Sequence, residues 1–310
     1  MAFAKKINLS GQSASTKGDL VFYCLMLLIP LVQIGIFYFG VNFQSIMMSF
    51  QVYSTVDNTF TWDASRNFNL FLNDIKEPWF WSMVKDSFVV WVASQFAGTV
   101  LALLFSYYIY KKRTLSKFFK FVLFLPSIIP GILLSLIFKF FMNTATPVFM
   151  NKLFYGGERV VEALLQNPNL YFWIITIYST WIGFGSQVLV YSGAMDQIPT
   201  EMIEAGKLDG VTPVREFFSL ILPTVMPTVT TFVVAGVATI FTNQNNLFAI
   251  FGGNLPGTDQ TIGYYLYTMV SGQDSMGNYC YASFLGLVST CIAVPITFVV
   301  RKILQRVGDR

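Results

Sequence analysis

Four consecutive amides, Asn243-Gln244-Asn245-Asn246, interrupt an apolar run, where each needs a partner or water to offset lost hydration. An amide donates and accepts at once. Such a cluster suits the hydroxyls of a sugar, and it equally suits hydrogen bonds that hold neighbouring helices together. On a helix Asn243 and Asn246 would share a face, being three positions apart. A second apolar run carries Trp181, Gly183, Ser186 and Gln187, with Gly183 permitting close approach and Ser186 one turn beyond it. Catalytic chemistry is poorly supplied by comparison. Histidine is absent, which removes the commonest general base, the HExxH metal site and every Ser-His or Cys-His pair. Cys24, Cys280 and Cys291 form no CxxC pair and read as small packing residues. No GxxxxGK[ST] loop is present to cradle ATP phosphates. The chain is therefore expected to be no enzyme and to carry no cofactor of its own.

The elements that would position these residues belong to a membrane. Of 310 residues 54% are hydrophobic and 12% charged, against about 25% charged in soluble domains. Uncharged stretches cover 20–56, 87–110, 121–138, 163–195, 217–258 and 275–300. Each can hold the ~20 apolar residues that cross a bilayer core. The spacing predicts six helices, at 20–41, 87–110, 121–142, 171–193, 228–251 and 281–301, and an α-helical bundle rather than a barrel, because no strand-like alternation is present. The first stretch exceeds a secretory signal's apolar core and is expected to remain as an anchor. Six crossings put both termini on one side. That side collects fourteen of the twenty Lys and Arg residues, including Lys5, Lys6, Lys111, Lys112, Arg215 and Arg310, against five opposite, Arg159 among them. The positive-inside rule makes it the cytoplasm. Anionic lipid explains the net charge of +4 without nucleic acid. Lys139 is expected to snorkel from the outer end of its helix, and Trp62, Trp79 and Trp81 to sit in an interfacial belt. None of the six predicted spans contains Asp or Glu, which argues against the alternative of an ion-coupled secondary transporter.

Between the fourth and fifth spans the chain runs from Ile198 and Pro199 through Glu201, Glu204, Ala205, Gly206, Asp209 and Gly210 to Thr212, Pro213 and Ile221-Leu222-Pro223. Two short helices are written there. Pro199 suits a first helical position, the two glutamates favour the positive helix start, and Gly210 can close the helix in the left-handed conformation. Thr212 then caps a second helix with Pro213 at its first position. Val214, Phe217, Phe218 and Ile221 would form one apolar face, which Pro223 interrupts. Residues alone leave two readings: an amphipathic connector lying on the membrane, or a stiff elbow that receives force from a cytoplasmic partner.

The same residues resemble the EAA loop of permease subunits in ATP-binding-cassette importers, whose pattern runs close to IPxxxxEAAxxDGAxxxxxFxxIxLP. Gly206 stands for the second Ala, Val211 for the Ala after Asp-Gly, and Leu220 for the usual Ile. Sugar-transporting members are also resembled in the segment from Trp181 to Pro199, at the Asn243 to Asn246 NxxN, and in the stretches Tyr264 to Tyr267 and Tyr279 to Ser283. The resemblance implies a six-helix importer permease in a bacterial or archaeal cell membrane. In it Glu201, Glu204, Ala205, Gly206, Asp209 and Gly210 would couple to an ATPase, and Gly183, Ser186, Asn243 and Asn246 would line a sugar path. It implies as partners a second permease, two ATPase subunits that bind ATP and Mg, and an extracytoplasmic solute-binding protein. The expected divisions are an N-terminal tail 1–19, a first helix and outer loop 20–85, a permease core 86–303 containing the coupling loop 198–223, and a tail 304–310.

Overall fold

Apolar runs of this length must satisfy their own backbone, and all six do so as helices. The computed structural model describes residues 17–154, 156, 163–272 and 275–308. Lys5, Lys6, Arg159 and Arg310, with most of the expected N-terminal tail, lie outside them. In chain order the elements are α1 (Val21–Ser49), the hairpin β1 (Gln51–Ser54) and β2 (Thr59–Trp62), α2 (Ala64–Asp74) and α3 (Pro78–Tyr110). Then follow α4 (Ser116–Ile128), α5 (Gly131–Phe154), α6 (Tyr171–Met195) and α7 (Thr200–Leu208). The last are α8 (Pro213–Ala238), α9 (Leu247–Phe251), α10 (Ile262–Ser271) and α11 (Ser275–Gly308). Among the described residues α1, α3, α5, α6, α8 and most of α11 are the six helices long and apolar enough to cross a membrane. The chain is an all-α multi-pass membrane protein.

The spans depart from the predicted bounds in several places. The helix expected over 121–142 is split into α4 and α5, because Ile129 and Pro130 are extended; a residue before proline is pushed out of the helical region. The helix expected over 228–251 starts earlier and stops at Ala238. Its beginning fuses with the second elbow helix through a π segment, Phe217–Ile221, just ahead of Pro223. The widened turn absorbs the proline that would otherwise break the helix. It also splits the expected apolar face: Phe217 and Ile221 are buried while Val214 and Phe218 are exposed. Finally, α3 starts at Pro78 and so contains Asp86, and α8 contains Glu216. The expectation of acid-free spans is corrected, but both acids sit near helix ends and both are partnered, Asp86 by the Gln260 amide at 3.2 Å and Glu216 by Lys111 at 2.5 Å.

The packing centre is α6. A Cβ at Gly185 would lie 2.0 Å from the Leu123 carbonyl oxygen, so only glycine lets α6 and α4 cross this closely. One buried cluster joins Ala102, Val188, Tyr191, Ile221 and Val225 from α3, α6 and α8. A second joins Val90, Tyr171, Ile175, Leu247 and Tyr264 toward the opposite end of the bundle. In contrast, α1 is exposed from Val21 to Ile46 and meets α11 through its last turns. Before those turns its apolar surface is left open by the described residues. The hairpin was not anticipated. Gln51 pairs with Trp62, and buried Asn67 donates to the carbonyls of Ser49 and Gln51, both at 2.9 Å, tying α2 to it. Cys280 is buried as expected, whereas Cys24 and Cys291 are exposed and pack nothing.

Candidate functional site

The amides do not form a helix face. Beyond Ala238 the backbone enters a turn in which Asn245 and Asn246 are both left-handed, at φ 52° and 56°. Asparagine tolerates that region better than most residues, and the turn is also closed locally by Asn243 Oδ1, which accepts from the Asn245 amide at 2.8 Å. Partners on other elements fix the turn. Asn245, 1% exposed, donates to Thr176 Oγ1 at 3.0 Å, and its carbonyl accepts from Ser179. Asn246 Nδ2 donates to Ser179 Oγ at 2.9 Å, and Thr261 donates to the Asn243 carbonyl at 2.7 Å. Gly263 lets α10 approach: its Cβ would meet Thr242 backbone at 2.5 Å. Lys139 does not snorkel; its ammonium donates to the Ile250 carbonyl at 2.7 Å, favourably placed at the C-terminal end of α9.

A cavity of about 320 Å³ opens beside this turn, between α3, α6 and the end of α8. Of the predicted site residues Gly183, Asn243 and Asn246 line it. Ser186 does not. It lies on the exposed face of α6, its hydroxyl donating to the Gly183 carbonyl at 3.0 Å. Gln187, noted in the second apolar run, also lines it, and the remaining wall is made by residues that sequence reasoning gave no role, Trp91, Gln95 and Ser179 among others. A lone amide in an apolar stretch, as at Gln95, was the available signal. Among the described residues Trp91 Nε1 and Gln187 Oε1 have no hydrogen-bond partner, and no charged side chain lines the cavity. A Cβ at Gly236 would come within 1.9 Å of Gln95 Oε1, so glycine there makes room for the amide. Free donors and acceptors beside an aromatic side chain are groups that can exchange hydrogen bonds with hydroxyls.

At the far end of α6 the elbow forms as the sequence predicts, with Pro199 at the N-cap, one residue earlier than expected. Gly210, at φ 73°, closes α7 while its amide donates to the Lys207 carbonyl and the Val211 amide to the Gly206 carbonyl, at 3.1 and 3.0 Å. This is the paired closure of a Schellman motif. Thr212 accepts from the Arg215 amide at 3.5 Å and starts α8. Glu201, Glu204, Ala205, Asp209 and Gly210 are exposed; Gly206 faces inward, where a Cβ would press Leu220 Cδ1 at 2.8 Å. Leu208, 90% exposed, was missed: an apolar knob between charges, visible in the sequence as a leucine beside Asp209.

A sequence model of the family described as "binding-protein-dependent transport system inner membrane component" matches residues 96–309. Similar curated proteins include the multiple sugar-binding transport system permease protein MsmF of Streptococcus mutans, 22% identical over 84% of this chain and 88% of that one. The probable starch degradation products transport system permease protein AmyD of Thermoanaerobacterium thermosulfurigenes is 24% identical over 90% and 89%. Among solved structures, a bacterial ABC transporter involved in importing the acidic polysaccharide alginate aligns with TM-score 0.72 and 17% identity, covering 94% of this chain and 96% of that chain. This last likeness establishes the fold.

Proposed function

This chain belongs to the family of binding-protein-dependent transport system inner membrane components, and from that premise we propose that it carries a sugar or oligosaccharide through an ATP-driven importer. The observation that carries the substrate class is the uncharged cavity, where Asn243, Asn246, Gln95 and Gln187 surround an indole. Names of relatives that transport sugars and starch products support it. The absence of Lys and Arg from the lining favours a neutral saccharide over an acidic one.

The permease core is residues 86–303, with both tails in the cytoplasm of a bacterial or archaeal cell, as the basic ends imply. A second, related permease completes the path, and two ATPase subunits bind ATP and Mg. The exposed face of α7, with Glu201, Glu204 and Leu208, docks on one of them, and an extracytoplasmic binding protein delivers the sugar. ATP and loaded binding protein both favour the outward-open state, since a ligand shifts an equilibrium only through differential affinity. The test is uptake of a panel of labelled neutral and acidic oligosaccharides by vesicles holding the assembled transporter. Asn243→Ala and Asn246→Ala, made separately, are expected to lower uptake and sugar-stimulated ATPase. Unchanged values in both would remove the cavity from the path.

A further inference from the structure

We propose that Lys111 and Glu216 are a positioning pair that carries displacement of the elbow sideways into α3, the helix that forms the cavity wall. The inference rests on the coupling role proposed for α7. Lys111 follows the last turn of α3, and its ammonium lies 2.5 Å from Glu216 Oε1 in the one ion pair among the described residues. Glu216 is 4% exposed, so loss of Lys111 leaves a carboxylate unpaired in a buried setting.

Two further contacts converge on the same point. Tyr107 donates to the Pro213 carbonyl at 2.9 Å, and its ring centroid lies 5.1 Å from that of Phe217. The Lys111 ammonium stands 5.6 Å from the centre of the Tyr107 ring. An ion pair, a hydrogen bond and a ring contact thus join the end of α3 to the first turn of α8.

Position gives the pair its meaning. Glu216 immediately precedes the π segment Phe217–Ile221, where the regular hydrogen-bond ladder of α8 is interrupted. A push from α7 along α8 must pass through that irregular turn before it reaches Gly236 and Thr239 at the cavity. The pair lies on the elbow side of the turn. From there α3 runs as regular helix from Tyr110 to Gly98 and then through a second π segment, Ala93–Ala97, which holds Gln95 and precedes Trp91 at the same cavity. Displacement enters the two walls unequally, and the walls separate.

The experiment measures uptake per ATP hydrolysed, with binding protein present, in vesicles holding the assembled transporter. Glu216→Gln and Lys111→Met are each expected to lower that ratio about tenfold, within the usual range of coupling between sites. The exchange of both charges, K111E with E216K, is expected to recover most of it. A purely stabilising pair would lower the amount assembled and leave the ratio unchanged, so an unchanged ratio in both single variants overturns the proposal. An assembled exchange variant as uncoupled as the singles does the same. Should the single variants fail to assemble, Glu216→Asp decides: it keeps the charge but draws the carboxylate back by one methylene, and a ratio equal to the unaltered protein's overturns the pairing. Failure of the coupling reading itself looks different, because Glu204→Lys on the exposed face of α7 would then leave the ATPase response to binding protein unchanged.

Discussion

The elbow and the amide turn both reverse the chain at a helix end, and both use left-handed residues, yet they are made of opposite materials. The elbow closes on itself. Gly210 and the two carbonyls it helps to cap are satisfied within α7, Ile203 and Gly206 pack inward, and Glu216 is neutralised by Lys111. What remains outside is a firm face of Glu201, Glu204 and Leu208, fit for another protein. The amide turn closes on its neighbours. Asn245 donates its side-chain amide hydrogen to Thr176 and its backbone carbonyl accepts from Ser179, while Asn243 and Asn246 line the cavity. In the proposed function the stiff outward face is the part that would transmit motion, and the anchored turn, with polar groups toward the cavity, the part that would select what moves.

Substitution should separate the two. Glu204→Lys is expected to have the largest effect, a loss of binding-protein-stimulated ATPase on the order of a hundredfold, read in the assembled transporter. Equal stimulation would show that the outward face of α7 transmits nothing. Asn246→Ala should instead lower sugar uptake about tenfold, from a lost hydrogen bond and an exposed Ser179 hydroxyl, while ATPase subunits still copurify. Loss of copurification would merge the two regions that the account keeps apart.

Smaller effects sharpen the contrast between anchor and ligand group. Asn245→Ala, one residue away, should cost about 1–3 kcal/mol of stability by orphaning buried partners, seen as a lower melting temperature in detergent. Gly210→Ala should cost roughly 1–2 kcal/mol, because a Cβ is strained in the left-handed region that closes α7. The least change belongs to Asp63, which caps α2 outside the spans. The Ser65 hydroxyl, aided by backbone amides, holds its carboxyl below the usual range. Its contribution is present above the ordinary carboxylate pKa and fades as pH falls through the lowered one. Asp63→Asn should flatten that acid-side dependence in a melting profile, and a slope identical to the unaltered protein's would refute the capping role.

The elbow was legible because its signals are local. Pro199, Gly210, Thr212 and Pro213 each act within one turn, and the structure places the helix starts and the left-handed stop within a residue of expectation. The amide turn was not, since its shape depends on Thr176, Ser179 and Thr261, far away in sequence. Read alone, the amides continue an apolar run, and a helix through them puts Asn243 and Asn246 side by side for the wrong reason. Ser186 was misplaced in a related way: sharing a face with Gly183 says nothing about which neighbour that face meets. The split at Pro130 could have been seen, as the proline stands in plain view. The hairpin was hidden by Trp62, which reads as a belt residue as easily as a strand residue.

The central claim is that nucleotide energy enters at the elbow and is spent at an uncharged cavity that holds no energy source. It is tested most directly by uptake of labelled oligosaccharide into vesicles containing this chain and its partner permease, with and without the ATPase subunits and ATP. The account predicts accumulation against a gradient only when both ATPase and ATP are present. Uphill accumulation without them would contradict it.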